Sequence, residues 1–189
     1  QAIGSMVIDI GGGTTEIAVI ALSGIVTCES IRVAGDAMDQ AIIDWMRRKY
    51  SLLIGPRNAE MLKCRIGSAM ELEPEEEAPV RGRDLVSAVP RTQMVDSREV
   101  REALAEPVAQ IVAGVRRALE RTPPELAADI LDRGMVLSGG GGMLKKLRER
   151  LIEGTSLPTY VDSDDPLTAV VRGNAKVLEE FDRYRKVLY

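Results

Sequence analysis

With 189 residues, 45% of them apolar and 29% charged, the chain has enough apolar material for a globular fold with its own core. The formal net charge of −4 argues against a nucleic-acid groove or a polybasic membrane surface. The sequence holds no histidine, which excludes Ser/His and Cys/His catalysis and His-ligated metal sites, and Cys28 and Cys64 form neither a metal-ligand spacing nor a disulfide framework, as expected in a reducing cytoplasm.

The start, Gln1–Ile8, lacks a signal-peptide pattern and an initiating methionine, so the chain reads as a fragment of something longer. No apolar run approaches the roughly 20 residues that span a bilayer. Ser5–Ile10 reads as a buried strand, Asp9 to Thr15 as a glycine-rich turn, and Glu16–Leu22 as a second strand that Ser23-Gly24 turns into a third, Ile25–Val33. A helix is predicted from Asp36 to about Tyr50, with Met38, Ala41, Ile42, Trp45 and Met46 on one face, and another from Pro56 to Ile66, stopped by Gly67. Glu71–Glu77 reads as an exposed, solvated charge run with no assignable role. Short strands follow near Val80–Arg83 and Ser87–Val95. Asp96 and Glu99 have capping-box spacing for a helix that is expected to be interrupted at Pro107 and then to resume, with Val108, Ile111, Val112, Val115 and Leu119 facing a core. Pro123-Pro124 break that helix, and a short one runs to about Leu131. Met135–Ser138 reads as a strand ending in Gly139–Gly142, followed by a helix to about Glu153, a strand near Thr159–Val161 and a final helix opened by Asp165-Pro166. Strand–helix alternation after residue 96 implies an α/β layer structure, and residues 36–96 could form a small inserted domain.

Three constellations could carry chemistry. In the first, Asp9-Ile10-Gly11-Gly12-Gly13-Thr14-Thr15, bare backbone can approach a ligand closely, consecutive N–H groups can cradle phosphate oxygens, and the Thr hydroxyls add donors. Asp9, at the end of a buried strand, could hold Mg²⁺ through water or orient an attacking water. A strand follows this loop and no lysine lies in it, so it is neither a dinucleotide fingerprint nor a Walker loop. That strand also argues against a nicotinamide-dependent oxidoreductase. A plain glycine turn with a capped aspartate remains the alternative. In the second, Gly139–Gly142 and Met143 join a strand to a helix, which suits a phosphate or a flat ring, or a simple connection. In the third, Glu60 and Lys63 share one face of a helix, as ligand contacts or as a surface ion pair. Asp36 and Asp39, near Gly35, could be another acidic site, but a helix N-cap and a first-turn carboxylate explain them more simply.

In this order, the constellations resemble those of the actin, heat-shock chaperone and sugar-kinase ATPase superfamily. The stretches GSMVIDIGGGTTEIAVIALSGIV, LLIGPRNAEMLKCRIGSA and TPPELAADILDRGMVLSGGGGMLKKL are similar to the bacterial actin-like cell-shape family, MreB, over essentially the whole chain. The resemblance implies an α/β, actin-like (ribonuclease H-like) fold. Residues 1–35 and 97–189 would form subdomain IIA, and residues 36–96 the inserted α+β subdomain IIB. It further implies ATP or ADP with Mg²⁺ as ligands. Asp9 would be catalytic and hold the metal through water, Gly11, Gly12, Gly13, Thr14 and Thr15 would take the β/γ-phosphates, Glu60 and Lys63 the ribose and purine, and Gly139, Gly140, Gly141 and Met143 the adenosine. Cys64 departs from the basic residue that relatives often carry there. The implied function is an ATPase cytoskeleton that organises cell-wall synthesis. Its subunits would assemble head to tail, its partners would be the cell-wall elongation machinery, and membrane contact would come through an N-terminal half absent here. Alternatives in the same superfamily are a specialised magnetosome- or plasmid-type actin and a non-polymerising chaperone or kinase, although no substrate-binding domain or sugar-activating carboxylate is visible.

Overall fold

The computed structural model of the chain describes residues 4–22, 24–162 and 164–184. Ser23 of the expected Ser23-Gly24 turn lies outside them, as do residues 1–3 and 185–189 of the larger predicted unit. Strands β1 (Ser5–Ile10), β2 (Thr15–Ala21) and β3 (Gly24–Ile31) form an antiparallel meander. The period-2 pattern of β1 puts Met6, Ile8 and Ile10 wholly inside. Helices α1 (Gly35–Tyr50) and α2 (Pro56–Ile66) flank β4 (Leu52–Leu53), and β5 (Glu77–Asp84) and β6 (Pro90–Asp96) precede α3 (Ser97–Glu120). Then come α4 (Pro124–Arg133), β7 (Met135–Ser138), α5 (Leu147–Thr155), β8 (Thr159–Val161), α6 (Ala169–Glu179) and the short α7 (Phe181–Tyr184). The larger sheet runs in the order β3-β2-β1-β7-β8, with β1, β7 and β8 parallel to one another. The smaller sheet, β4-β5-β6, is antiparallel. Buried side chains of both sheets join one apolar core.

Several expectations change. Pro107 does not interrupt α3, which runs unbroken through it. A proline in a helix interior costs about 3 kcal/mol, but this one is buried on the face formed by Leu104, Val108, Ile111 and Val115, whose burial offsets that cost. The capping box at its start is present: the Glu99 N–H donates to Asp96 at 2.9 Å and the Asp96 N–H to Glu99 at 3.0 Å. Residues 87–89, expected in a strand, belong to a turn. There the Asp84 carboxylate accepts the Val86 and Ser87 N–H groups at 2.9 Å, and these bonds lower its pKa. Asp36 does not cap α1; Ala34 occupies that position and Asp36 lies in the first turn. On the other side of α1, the buried Trp45 ring packs edge-on to Tyr50 at 5.8 Å beneath the Lys49 ammonium, and the Tyr50 hydroxyl donates to Glu99 of α3 at 2.6 Å. That bond holds the Tyr50 proton and pushes its pKa up to about 12.

The 71–77 segment is not a freely solvated charge run. Glu75 accepts from Arg101 at 2.7 and 3.2 Å and from the Ser97 hydroxyl, and Glu76 pairs with Lys145 at 2.7 Å. The Arg101 and Ser97 bonds stabilise the Glu75 carboxylate and lower its pKa from 4.5 to about 2. A carboxyl whose folded pKa is depressed stabilises the fold above its unfolded value and loses that contribution as pH falls through the folded one. Glu75→Gln is therefore expected to lower stability at pH 7, with the deficit shrinking below about pH 4.5 and vanishing near pH 2. Urea melts of both proteins across that range check this; a deficit that does not change with pH would mean the carboxylate charge is not what matters.

Candidate functional site

The site follows from the pairing of β1 with β7. Asp9 stands opposite Ser138 in parallel register, so the turns leaving both strands emerge side by side. Ligands of open α/β sheets bind at such carboxyl ends. On the other edge of β1, Asp9 faces Glu16 of β2. Burial, and then the Glu16 charge, raise the Asp9 pKa from its ordinary value.

The first glycine turn is closed by a Gly11 N–H bond to the Thr14 carbonyl at 3.0 Å. It is tied to the start of α1 by the Gly35 N–H donating to the Gly11 carbonyl (3.1 Å) and the Asp36 N–H to that of Gly12 (2.8 Å). Neither Gly12 nor Gly13 has a positive φ, and a Cβ added at either would meet only Asp36 carboxylate atoms, at 3.5 Å or beyond. The fold itself does not require glycine there. The second turn is different. Gly139 has φ +80°, and a Cβ on it would come within 2.3 Å of the Ile10 carbonyl oxygen and 2.5 Å of the Asp9 carboxylate. At Gly141 a Cβ would sit 2.4 Å from Ile10 Cγ2. Here the missing side chains let β7 lie against the end of β1. The predicted helix does not start at these glycines: Gly140–Met143 form one 3₁₀ turn, Lys146 takes a left-handed conformation, and α5 begins only at Leu147.

Between these turns, α1 and α2 lies a cavity of about 560 Å³, within the ordinary range for small-molecule sites. Of the residues expected at a ligand, Gly11, Gly12, Glu60, Lys63, Gly140, Gly141 and Met143 line it. Asp9, Gly13, Thr14 and Gly139 do not; Asp9 lies half-buried behind the Gly139 turn, and Gly13 and Thr14 are exposed. Thr15 is corrected to a structural role, since it is fully buried and its hydroxyl donates to the Val33 carbonyl at 2.7 Å. Lys63 does not pair with Glu60. Its Nζ donates to the Gly35 carbonyl at 3.0 Å and forms an ion pair with Asp39 at 2.9 Å. Burial raises the Asp39 pKa, and Lys63 opposes that rise. Sequence reasoning set Asp36 and Asp39 aside as a cap and a first-turn carboxylate, and missed Gly35, Met38, Leu144, Lys145 and Leu167 as lining residues. The i, i+3 spacing of Asp36 and Asp39, the same as that of Glu60 and Lys63, was the available signal. Among the described residues no group of three or more His, Cys, Asp or Glu could hold a metal by itself, and no helix is long and apolar enough to cross a membrane.

A five-stranded mixed sheet, with two glycine turns meeting beside a smaller three-stranded sheet, defines an actin-like fold. Among solved structures, the chain is similar to MreB5 of Spiroplasma citri bound to ADP, with a TM-score of 0.92 and 35% identity, covering 97% of this chain and 56% of that one. The AMPPNP-bound form of that protein gives a TM-score of 0.91 at 35% identity, covering 97% of this chain and 55% of that one. The MamK double helical filament, at 22% identity and a TM-score of 0.68 over 86% of this chain and 50% of that one, shares the fold. The family model for MreB/Mbl protein matches residues 1–186, and the chain belongs to that family. The cell shape-determining protein MreB of Escherichia coli (strain K12) is 52% identical over 184 residues, 97% of this chain and 53% of that protein. The cell shape-determining protein Mbl of Bacillus subtilis (strain 168) is 47% identical over 186 residues, 98% of this chain and 56% of that protein. The chain thus spans about half the length of these curated relatives.

Gly139→Ala is expected to destabilise the protein by about 1–3 kcal/mol, from the positive φ and the forced retreat of β7 from β1. Gly13→Ala should change stability by less than about 1 kcal/mol. Denaturant midpoints of the two variants check the contrast, and equal losses would remove the distinction between the two turns.

Proposed function

We propose that this chain is the nucleotide-binding half of an actin-like, filament-forming ATPase that sets cell shape by organising cell-wall synthesis. The observation that carries this reading is the open backbone at Gly12 and Gly13. Glycine there answers no demand of the fold, yet it leaves room for phosphate oxygens beside the cavity. The similarity to MreB5 of Spiroplasma citri bound to ADP and to AMPPNP supports ATP and ADP as the ligands. In this reading Gly11–Thr14 receive the β- and γ-phosphates. The bare face of Gly140 and Gly141 with the exposed Met143 receives the adenine ring, and Glu60 accepts from the ribose hydroxyls. Lys63 holds α1 against α2 while keeping donor capacity toward the ligand. Residues 4–35 and 97–184 then act as subdomain IIA, and residues 36–96 as IIB.

Asp9 fits a Mg²⁺ role, because that ion is commonly held by one or two carboxylates together with substrate phosphates and keeps several of its waters. When bound, Mg²⁺ neutralises charge on the phosphates. Asp9 itself would hold a metal-bound water or orient the attacking one from the end of β1, where the phosphate turn begins. The full catalytic constellation needs charge stabilisation from several sides, which the rest of the full-length protein supplies. We assign the same full-length protein a cytoplasmic, membrane-associated location, with membrane contact outside this chain, the cell-wall elongation machinery as partner, and head-to-tail self-association. The 52% identity to the MreB of Escherichia coli favours this reading over a magnetosome-type or non-polymerising relative.

The full-length protein is expected to bind a fluorescent ATP analogue and release phosphate, and Asp9→Ala to slow release at least about tenfold, or about 1.4 kcal/mol, with binding retained. This chain alone is expected to fold and to show negligible turnover. A phosphate-release assay checks both: unchanged turnover in Asp9→Ala removes Asp9 from the mechanism, and absence of binding by the full-length protein sinks the reading of the cavity.

A further inference from the structure

Lys145 stands just past the Gly140–Met143 turn and ties together parts of the chain far apart in sequence. Its Nζ donates to both carboxylate oxygens of Glu76, at 2.7 and 2.8 Å, and to the Arg65 carbonyl at 2.7 Å. Its backbone carbonyl accepts the Ala69 N–H at 2.8 Å, beside an isolated parallel bridge between Ser68 and Lys145. Arg65 belongs to the last turn of α2, the helix whose Glu60, Lys63 and Cys64 line the wall of the cavity opposite the glycine turn. Glu76 is itself anchored. Its N–H donates to the Ser97 hydroxyl at 2.9 Å and its carbonyl accepts the Ser97 N–H at 2.8 Å, where Ser97 opens α3.

We infer that Lys145 and Glu76 form a clasp that sets the separation of the two walls of the cavity, and are positioning residues for the nucleotide. This rests on the reading of the cavity given above. The Lys145 ammonium is held by the Glu76 carboxylate and the Arg65 carbonyl, so its charge is already paired where its stem meets the cavity. The pair is well exposed, at 36% and 43% of the side-chain surface, and ion pairs of that kind add little to global stability. Its geometric leverage is larger. One bond reaches across from the end of the glycine turn to the end of α2, while a carboxylate fixed to α3 holds the ammonium in place. A ligand gripped between two walls loses affinity when either recedes by a fraction of an ångström.

The test uses the full-length protein carrying Glu76→Gln, Lys145→Met or Lys145→Arg, with dissociation constants and off-rates for fluorescent ADP measured beside thermal midpoints. Glu76 does not line the cavity, so a change in affinity from Glu76→Gln acts through Lys145. Glu76→Gln is expected to weaken binding about three- to tenfold, mostly through faster dissociation, with the thermal midpoint within about 2 °C of wild type. Lys145→Met should show the same loss, and Lys145→Arg, which keeps the charge and can pair with the carboxylate through its planar fork, should lose less than Lys145→Met; an equal loss in both would mean that the ion pair is not what positions the wall. Wild-type affinity in Glu76→Gln overturns the clasp, whatever Lys145→Met does, because Lys145 would then act on the ligand directly. Loss of folding in Glu76→Gln overturns it too, by making the pair structural. No binding by the unmutated protein overturns the reading of the cavity instead, so the two failures are told apart.

Discussion

The contact on which the rest depends is the close approach of the Gly139 backbone to the carbonyl of Ile10. A methyl group on Gly139 would lie 2.3 Å from that oxygen, so only glycine lets the chain pass the end of β1 directly after the last register pair, Asp9 with Ser138. That register brings two turns, far apart in sequence, to one edge of the sheet. The first turn then fixes the start of α1 through the Gly11 and Gly12 carbonyls, and α1 fixes α2 through Lys63. Each wall of the cavity is placed by reference to one strand pair.

Charge is arranged less directly than the lining suggests. Two ammonium groups reach the cavity, and both are engaged: Lys63 with Asp39 and the Gly35 carbonyl, Lys145 with Glu76 and the Arg65 carbonyl. Three carboxylates, Asp36, Asp39 and Glu60, share the same space. An anionic ligand there would be met chiefly by backbone N–H groups and by its own counter-cation, not by cationic side chains. The lining thus sets three carboxylates against two ammonium groups, in keeping with a chain whose net charge is −4.

Elements whose pattern is local were legible in the sequence. The meander, the two helices of residues 36–66 and the capping box at Asp96 and Glu99 were read correctly because alternation, helical spacing and capping chemistry act within a few residues. The misreadings came where distant packing decided. Pro107 looks like a helix break until the buried face around it is known. Glu75 and Glu76 look solvated until Arg101, Ser97 and Lys145 arrive from elsewhere in the chain. Thr15 looks like a ligand donor until Val33 closes over it. The glycines were all visible, but one set is imposed by packing and the other by nothing within the chain, and telling them apart needed coordinates.

The aromatic cluster on α1 carries an optical consequence. The chain has a single tryptophan, Trp45, buried edge-on to Tyr50 under the Lys49 ammonium, with Tyr50 bonded to the first turn of α3. Its indole emission therefore reports on the seam between α1 and α3. Because α1 begins at the first glycine turn and α3 leads from the smaller sheet to the larger, that seam lies between the two sheets. One native fluorophore, without any label, watches that seam.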